Sequence, residues 1–312
     1  MMLKLPQSQL RTVLGAARAL ASVDGAFEEH ERQLIGAAAR TLGHEGDIDA
    51  IEPVSPEQAG EAGLDELTRT RLVQSLLLLA AIDGEVSASE LLAIRAYASA
   101  LGVSEPRLKN LEQIANGHMR LVKMDLLRKS EMVRTAAKKA WEDKGLRGLW
   151  TVATSMYGLS TDAELAWRYK ALGLLPEGTF GRAYWAHMTE RRYALPGEPM
   201  AFPEELAKHD LAHVLGGYDT DPEGECEVVA FISGFMKTDP FSYLFMIVIH
   251  MQLGVHIFEG TPVEHMKVSP ERLVLALERG SRVTRDLYDP AWDYWAEFPL
   301  PLGEVRQRYG IS

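Results

Sequence analysis

His209-Asp210-Leu-Ala-His213, followed after eleven further residues by Glu225, places two imidazoles and two carboxylates within one short stretch of chain. These are the nitrogen and oxygen donors that zinc and other first-row metals take from proteins. Positions four apart share one face of a helix, so His209 and His213 can reach a single ion. Pro203 marks a helix start and Gly216-Gly217 a stop. Leu206, His209, Asp210 and His213 fall on one stripe, and Leu211, Val214 and Leu215 on an apolar one that can face the core. The spacer Val-Leu-Gly-Gly-Tyr-Asp-Thr-Asp-Pro-Glu-Gly reads as a loop, and Glu225 then opens an apolar helix from Cys226 to Phe235. A helix, a loop and a returning helix bring Glu225 beside the histidines. The expected ligand set is His209, Asp210, His213 and Glu225. The competing reading is a His-rich helix end with solvated acids around it.

The chain that must position these groups has 312 residues, 46% hydrophobic and 25% charged, enough for two globular units with a sizeable core. Its 44 acidic and 33 basic residues give a net charge of −11, which excludes the basic footprint of a nucleic-acid binder. One cysteine, Cys226, rules out an internal disulfide and a cysteine-based zinc site, fits a reducing compartment, and reads as a small buried residue. The N-terminus lacks the apolar run of a signal peptide. The uncharged run from Phe241 to Phe258 approaches membrane length, but its Ser242, His250, Gln252, Gly254 and His256 make a poor span and point to a buried helix or cavity wall. A cytoplasmic protein is expected, with contact at the inner face of the membrane an open option.

The N-terminal third repeats. Asp24-Gly25 and Asp83-Gly84 are 59 residues apart, as are Gly43 and Gly102, and each Asp-Gly has a Glu seven positions on, Glu31 and Glu90. Each copy reads as helix, turn, helix and glycine stop, with apolar first helices from Gln9 to Ser22 and from Arg71 to Ile82. Ser87 with Glu90 forms a capping box, and a short helix starts at Pro56 in the acidic segment between the copies. This predicts an all-α unit over residues 1–116. Val23-Asp24-Gly25-Ala-Phe27 with Glu31, and Ile82-Asp83-Gly84-Glu-Val86 with Glu90, resemble the tellurite-resistance TerB-like domains over roughly residues 8–112. The resemblance implies an interaction module, some members of which hold metal on acids near these turns. Asp24, Glu28, Glu31, Asp83 and Glu90 are the oxygens available here, and the favoured reading gives them turn and cap roles instead.

Residues 117–149 carry an expected basic amphipathic linker helix: between 119 and 147, nine Lys or Arg accompany four Asp or Glu, interleaved with apolar residues. It is read as a solvated helix with one face packed on a neighbour, with an anionic membrane surface as the alternative.

From 150 to 312 the punctuation again predicts helices, so the fold class expected for the whole chain is all-α, in two helical domains. Leu175-Pro176-Glu177-Gly178-Thr179-Phe180-Gly181-Arg182-Ala183-Tyr184 runs from a turn into a helix, with Thr179 as N-cap and Arg182 beside amides that can hold an anion. Together with the His-Asp-x-x-His-(11)-Glu set and a Trp-containing tail ending on Val305-Arg306 and Gly310-Ile311, this segment resembles the coenzyme Q biosynthesis protein 4 family. The resemblance implies an all-α domain, zinc (alternatively iron) on His209, Asp210, His213 and Glu225, and action on polyprenylated ring precursors of ubiquinone. The implied reaction, that of a metal-dependent lyase or oxidative decarboxylase, is loss of the C1 carboxylate coupled to hydroxylation there. Peripheral membrane contact and association with other quinone-biosynthesis proteins are implied as well, and a homo-oligomer is an open option.

Phe235, Phe241, Phe245 and Met246 supply apolar surface that could line a cavity for an isoprenoid tail, or simply form core. Two other functions compete. One is a non-catalytic lipid-binding scaffold with a structural metal. The other is a metal-dependent hydrolase of the HD type, for which His187 and Asp239 would be the further ligands.

Overall fold

A computed structural model describes residues 5–25, 27–129, 161–257 and 265–312. Among the described residues the chain is all-α, with fourteen α-helices and no strand. The first copy of the repeat is α1 (Gln7–Leu20) and α2 (Glu29–Thr41), and the second is α4 (Glu66–Leu79) and α5 (Ala88–Leu101). Adding 59 to the bounds of α1 gives those of α4, so the sequence period is a structural one. The first helices begin two to five residues earlier than the apolar pattern indicates, because Pro6 and Asp65 cap polar turns that precede it.

The two Asp-Gly turns place Gly25 at φ 117° and Gly84 at φ 91°, a region closed to most side chains. Each turn feeds an equivalent capping box. The Glu31 carboxylate accepts from the Glu28 amide and the Glu90 carboxylate from the Ser87 amide, both at 2.8 Å. Both glutamates are buried, as turn and cap roles require. Between the copies lies α3 (Pro56–Glu61), starting at the proline with Ser55 as cap. The unit continues through α6 (Pro106–Ala115) into α7 (Met119–Lys129), which buries Val122 and Leu126 and leaves Leu121 and Met124 exposed. The rest of the expected linker helix, and the 149/150 boundary, lie outside the described residues.

The C-terminal half contains α8 (Ala163–Ala171), α9 (Phe180–Glu190), α10 (Ala207–Gly216), α11 (Pro222–Phe235), α12 (Pro240–Met251), α13 (Pro270–Ser281) and α14 (Leu302–Arg308). The uncharged run from Phe241 becomes buried α12, and among the described residues no helix is long and apolar enough to cross a membrane. Helices α11 and α13 cross with their backbones in contact. A Cβ on Gly280 would lie 1.9 Å from the Phe231 carbonyl oxygen, and one on Gly234 2.5 Å from that of Leu277.

The N-terminal unit packs directly on this half through α2 against α13 and α4 against α12. Buried side chains from both sides belong to one continuous core cluster. Fully buried Gln252 bridges them: its Nε2 donates to the Ile82 carbonyl, and its Oε1 accepts from the Val268 amide at 3.0 Å. Arg107 and Asp239 add an ion pair at 2.6 Å across the same boundary.

Candidate metal centre

Helix α10 ends where its glycines dictate: Gly217 takes a left-handed φ of 71° and its amide bonds the His213 carbonyl at 2.7 Å. The next helix, α11, opens on Pro222 with Asp221 accepting from the Gly224 amide at 2.7 Å. The connection doubles back so tightly that a Cβ on Gly224 would fall 2.1 Å from the Asp219 carbonyl oxygen. Arg191, at the end of α9, pins this loop through Asp219 at 3.0 Å and Thr220 at 3.1 Å. Glu225, in the first turn of α11, is thereby returned to the face of α10 that carries the histidines.

The three donors form a small triangle. His209 Nε2 lies 3.0 Å from Glu225 Oε2, His213 Nε2 lies 3.3 Å from Glu225 Oε1, and the two Nε2 atoms are 3.2 Å apart. Ligands on a tetrahedral ion at the usual bond length of about 2.05 Å stand about 3.3 Å from one another. The two imidazole nitrogens stand close to that spacing, whereas Glu225 meets them through different oxygens, and one donor atom from each residue lies within 4.8 Å of the others. Among the described residues, His209, His213 and Glu225 are the one group whose ligand atoms converge in this way.

The outer nitrogens are held too. His213 Nδ1 faces the Tyr218 carbonyl at 3.2 Å; a carbonyl only accepts, so Nδ1 carries a proton and Nε2 is the nitrogen turned to Glu225 and His209. His209 Nδ1 meets the Tyr243 hydroxyl at 3.0 Å. Burial alone would raise the Glu225 carboxyl, yet the hydrogen bonds to His209 and His213 hold it well below the carboxylate range. Burial alone would lower His209, but Tyr243 and Glu225 hold it well above the usual imidazole value. Borderline nitrogen and hard oxygen are donor types that first-row metals take, so these three oriented side chains could hold an ion.

Asp210 stands outside the converging group. One residue on from His209, it is turned about a quarter of the way round the helix. Burial raises its carboxyl against the pull of His209 and His213, so it acts on them as a nearby charge. Of the other candidates, Arg182 donates to the Gly173 carbonyl and lies over the Trp185 ring at 4.4 Å, which locks the turn before α9. Phe235, Phe241 and Phe245 are buried in the core, whereas Met246 lines a cavity. Asp239 lines the same cavity, paired to Arg107. His187 stacks on His213 with ring centroids 5.5 Å apart, and burial, followed by the proximity of His213, pushes it down to about 4. Cys226 is buried and free, its thiol pushed up to about 12 by burial.

That cavity, about 790 Å³, has Tyr243 in its wall, the residue whose hydroxyl meets His209, while the three donors themselves are not among its lining residues. Its walls carry the aromatic faces of Tyr243, Tyr288, Trp292, Tyr294 and Trp295. They also carry six carboxylates (Glu204, Glu205, Asp239, Asp286, Asp289, Asp293) against three bases (Arg168, Lys208, Lys237). Sequence reasoning missed Tyr243. Its signal is a phenol in an otherwise apolar helix, since a buried Tyr hydroxyl needs a partner.

A scan against protein-family models and a search of curated proteins both return no match for this chain.

Proposed function

We propose that this protein is a metal-dependent enzyme acting on a polyprenylated aromatic precursor of a quinone-type lipid, with His209, His213 and Glu225 holding the ion. The observation that carries the reading is the convergence of His209, His213 and Glu225, which bring one donor atom each to within 4.8 Å of the others. The resemblance of residues 150–312 to the coenzyme Q biosynthesis protein 4 family supplies the substrate class and the reaction, loss of the C1 ring carboxylate as carbon dioxide with hydroxylation there, a two-electron oxidation for which dioxygen is the external oxidant.

When bound, zinc supplies a Lewis acid toward a ring or carboxylate oxygen, and iron adds redox capacity. The chain's own residues do the rest. Tyr218 and Tyr243 fix both imidazoles, so neither ligand must reorient. The aromatic walls of the cavity offer faces on which a substrate ring can stack. Met236 and Met246 give adaptable apolar contact beside them.

Elemental analysis of the purified protein, with His213→Ala beside it, tests the reading. About one zinc or iron per chain, absent from the variant, is expected. Turnover of a prenylated 4-hydroxybenzoate then tests the reaction. A wild-type protein without stoichiometric metal overturns the metal centre, and a metal-loaded protein inert toward that substrate overturns the substrate class.

A further inference from the structure

Helix α9 presents two polar atoms near the metal-ligand helix, and neither has a hydrogen-bond partner among the described residues. Tyr184 and His187 are three residues apart and share a face. Tyr184 is fully buried, with no hydrogen bond to its hydroxyl. His187 is 8% exposed, and its Nε2 likewise has none. His187 stacks on the ligand His213 with ring planes 28° apart, and Tyr184 lies within electrostatic reach of Asp210 and of the cavity residue Tyr294.

An unpaired buried donor costs about 1–3 kcal/mol, so folded proteins keep few of them. Neither polar atom is needed to hold α9. The helix is fixed by its Thr179 cap, by the packing of Phe180 and Tyr184 rings on Phe298, and by Arg191. A phenylalanine at position 184 would fill the same space without an orphaned hydroxyl. A purely structural α9 therefore gives no reason for two unpaired polar atoms in adjacent turns beside one site.

We propose that Tyr184 and His187 form the hydrogen-bonding wall of a ligand subsite beside the metal centre, taking up an oxygen acceptor such as a carboxylate. The inference rests on the metal reading above and adds the residues that orient what binds there. Both side chains act as donors, the phenol through its O–H and the imidazole through an N–H at Nε2. His187 is outside the converging donor group, so its role is toward the ligand and not the ion.

Benzoate is the probe, titrated by calorimetry into wild type, Tyr184→Phe and His187→Phe, each loaded with cobalt(II) and assayed for metal content. Both variants are expected to keep the metal and to bind benzoate about tenfold more weakly, the equivalent of one hydrogen bond. Ligand-free Tyr184→Phe is expected to melt no lower than wild type, because only an unpaired group is removed. Equal benzoate affinity in all three proteins overturns the proposal. So does a lower melting temperature of ligand-free Tyr184→Phe, which would give the hydroxyl a structural partner such as a buried water. Loss of metal from His187→Phe would make that residue a ligand and also overturn it. If the wild type takes up no metal, the metal reading fails separately. The same titration on metal-free protein then decides the wall by the presence or absence of the tenfold gap.

Discussion

Arg306, six residues from the end of the chain, donates two hydrogen bonds of 2.9 Å to the carbonyls of Leu215 and Val214, directly behind His213. Those carbonyls belong to the last turn of α10, where no helical amide remains to meet them. Arg279 takes the next one, that of Gly216. Two guanidinium groups thus close the negative end of the helix that carries both imidazoles. Arg306→Ala is expected to cost about 1–3 kcal/mol, read as a melting temperature lower by several degrees, and to weaken metal binding as the helix end loosens. Arg306→Lys should recover only part of this, since a point charge cannot serve two carbonyls as a planar fork does. An unchanged melt in Arg306→Ala would show that solvent satisfies the helix end.

Tyr243→Phe removes the partner of His209 Nδ1, together with a long 3.5 Å contact to the Tyr288 hydroxyl. Loss of such an orienting group commonly lowers metal affinity about 10–100-fold, and that drop is expected in a competition titration against a chelating dye. His213 is held by a backbone carbonyl, which no side-chain substitution deletes, so it should remain oriented in the variant. An affinity equal to wild type would remove Tyr243 from the role given to it.

Gly280→Ala would drive a Cβ into the Phe231 carbonyl at the crossing of α11 and α13. The obstacle is backbone, so the helices must separate. A loss of about 3 kcal/mol is expected from denaturant unfolding, together with weaker metal binding because α11 carries Glu225. Gly303→Ala is the control: exposed in α14 with nothing within 4 Å of its Cβ, it should be neutral or stabilising by up to about 1 kcal/mol.

Glu31 and Glu90 give stability a pH dependence. Burial, opposed by the capping-box hydrogen bonds, pushes Glu31 up to about 8 and Glu90 up to about 7. The folded state therefore holds protons that the unfolded chain, with ordinary carboxyls near 4.5, has already released. Their contribution is present below pH 4.5 and is lost as pH rises through 7 and 8. Glu31→Gln with Glu90→Gln keeps the amide acceptors and removes the titration. Urea midpoints between pH 6 and 9 should fall less in the double variant, by on the order of 2 kcal/mol. Parallel curves for the two proteins would show that these carboxyls are charged at neutral pH.

The repeat was legible because Asp-Gly turns and capping glutamates are local signals: α1 and α4, and Glu31 and Glu90, sit 59 apart in sequence and structure alike. The return of Glu225 was legible for a similar reason, since four-residue spacing and a glycine-rich loop confine where the second helix can go. Residue type could not separate Asp210 from the converging donors, because neighbouring positions on a helix differ only in direction. Tyr243, 34 residues from His209, lay hidden in an apolar run whose partner only tertiary packing supplies. The cavity was hidden likewise, as its walls come from segments as distant as Arg168 and Trp295. Arg182 read as an anion contact because its nearness to a helix start is visible in sequence, whereas its bond to the Gly173 carbonyl is not.

The two ways in which α10 is held differ in how much chain they enclose. The bond between His209 and Glu225 spans 16 positions, and that between Arg306 and Leu215 spans 91. Closing the longer loop costs about 1.5 kcal/mol more chain entropy, so a contact that closes it constrains the unfolded ensemble more strongly. An ion on the donor triangle would clasp a single hairpin, leaving the connectivity of the remaining helices to the protein's own contacts. The fold should therefore survive a chelator, unlike a zinc finger, whose ion is its core. Loading and unloading of the site are then local events in a scaffold that stays assembled.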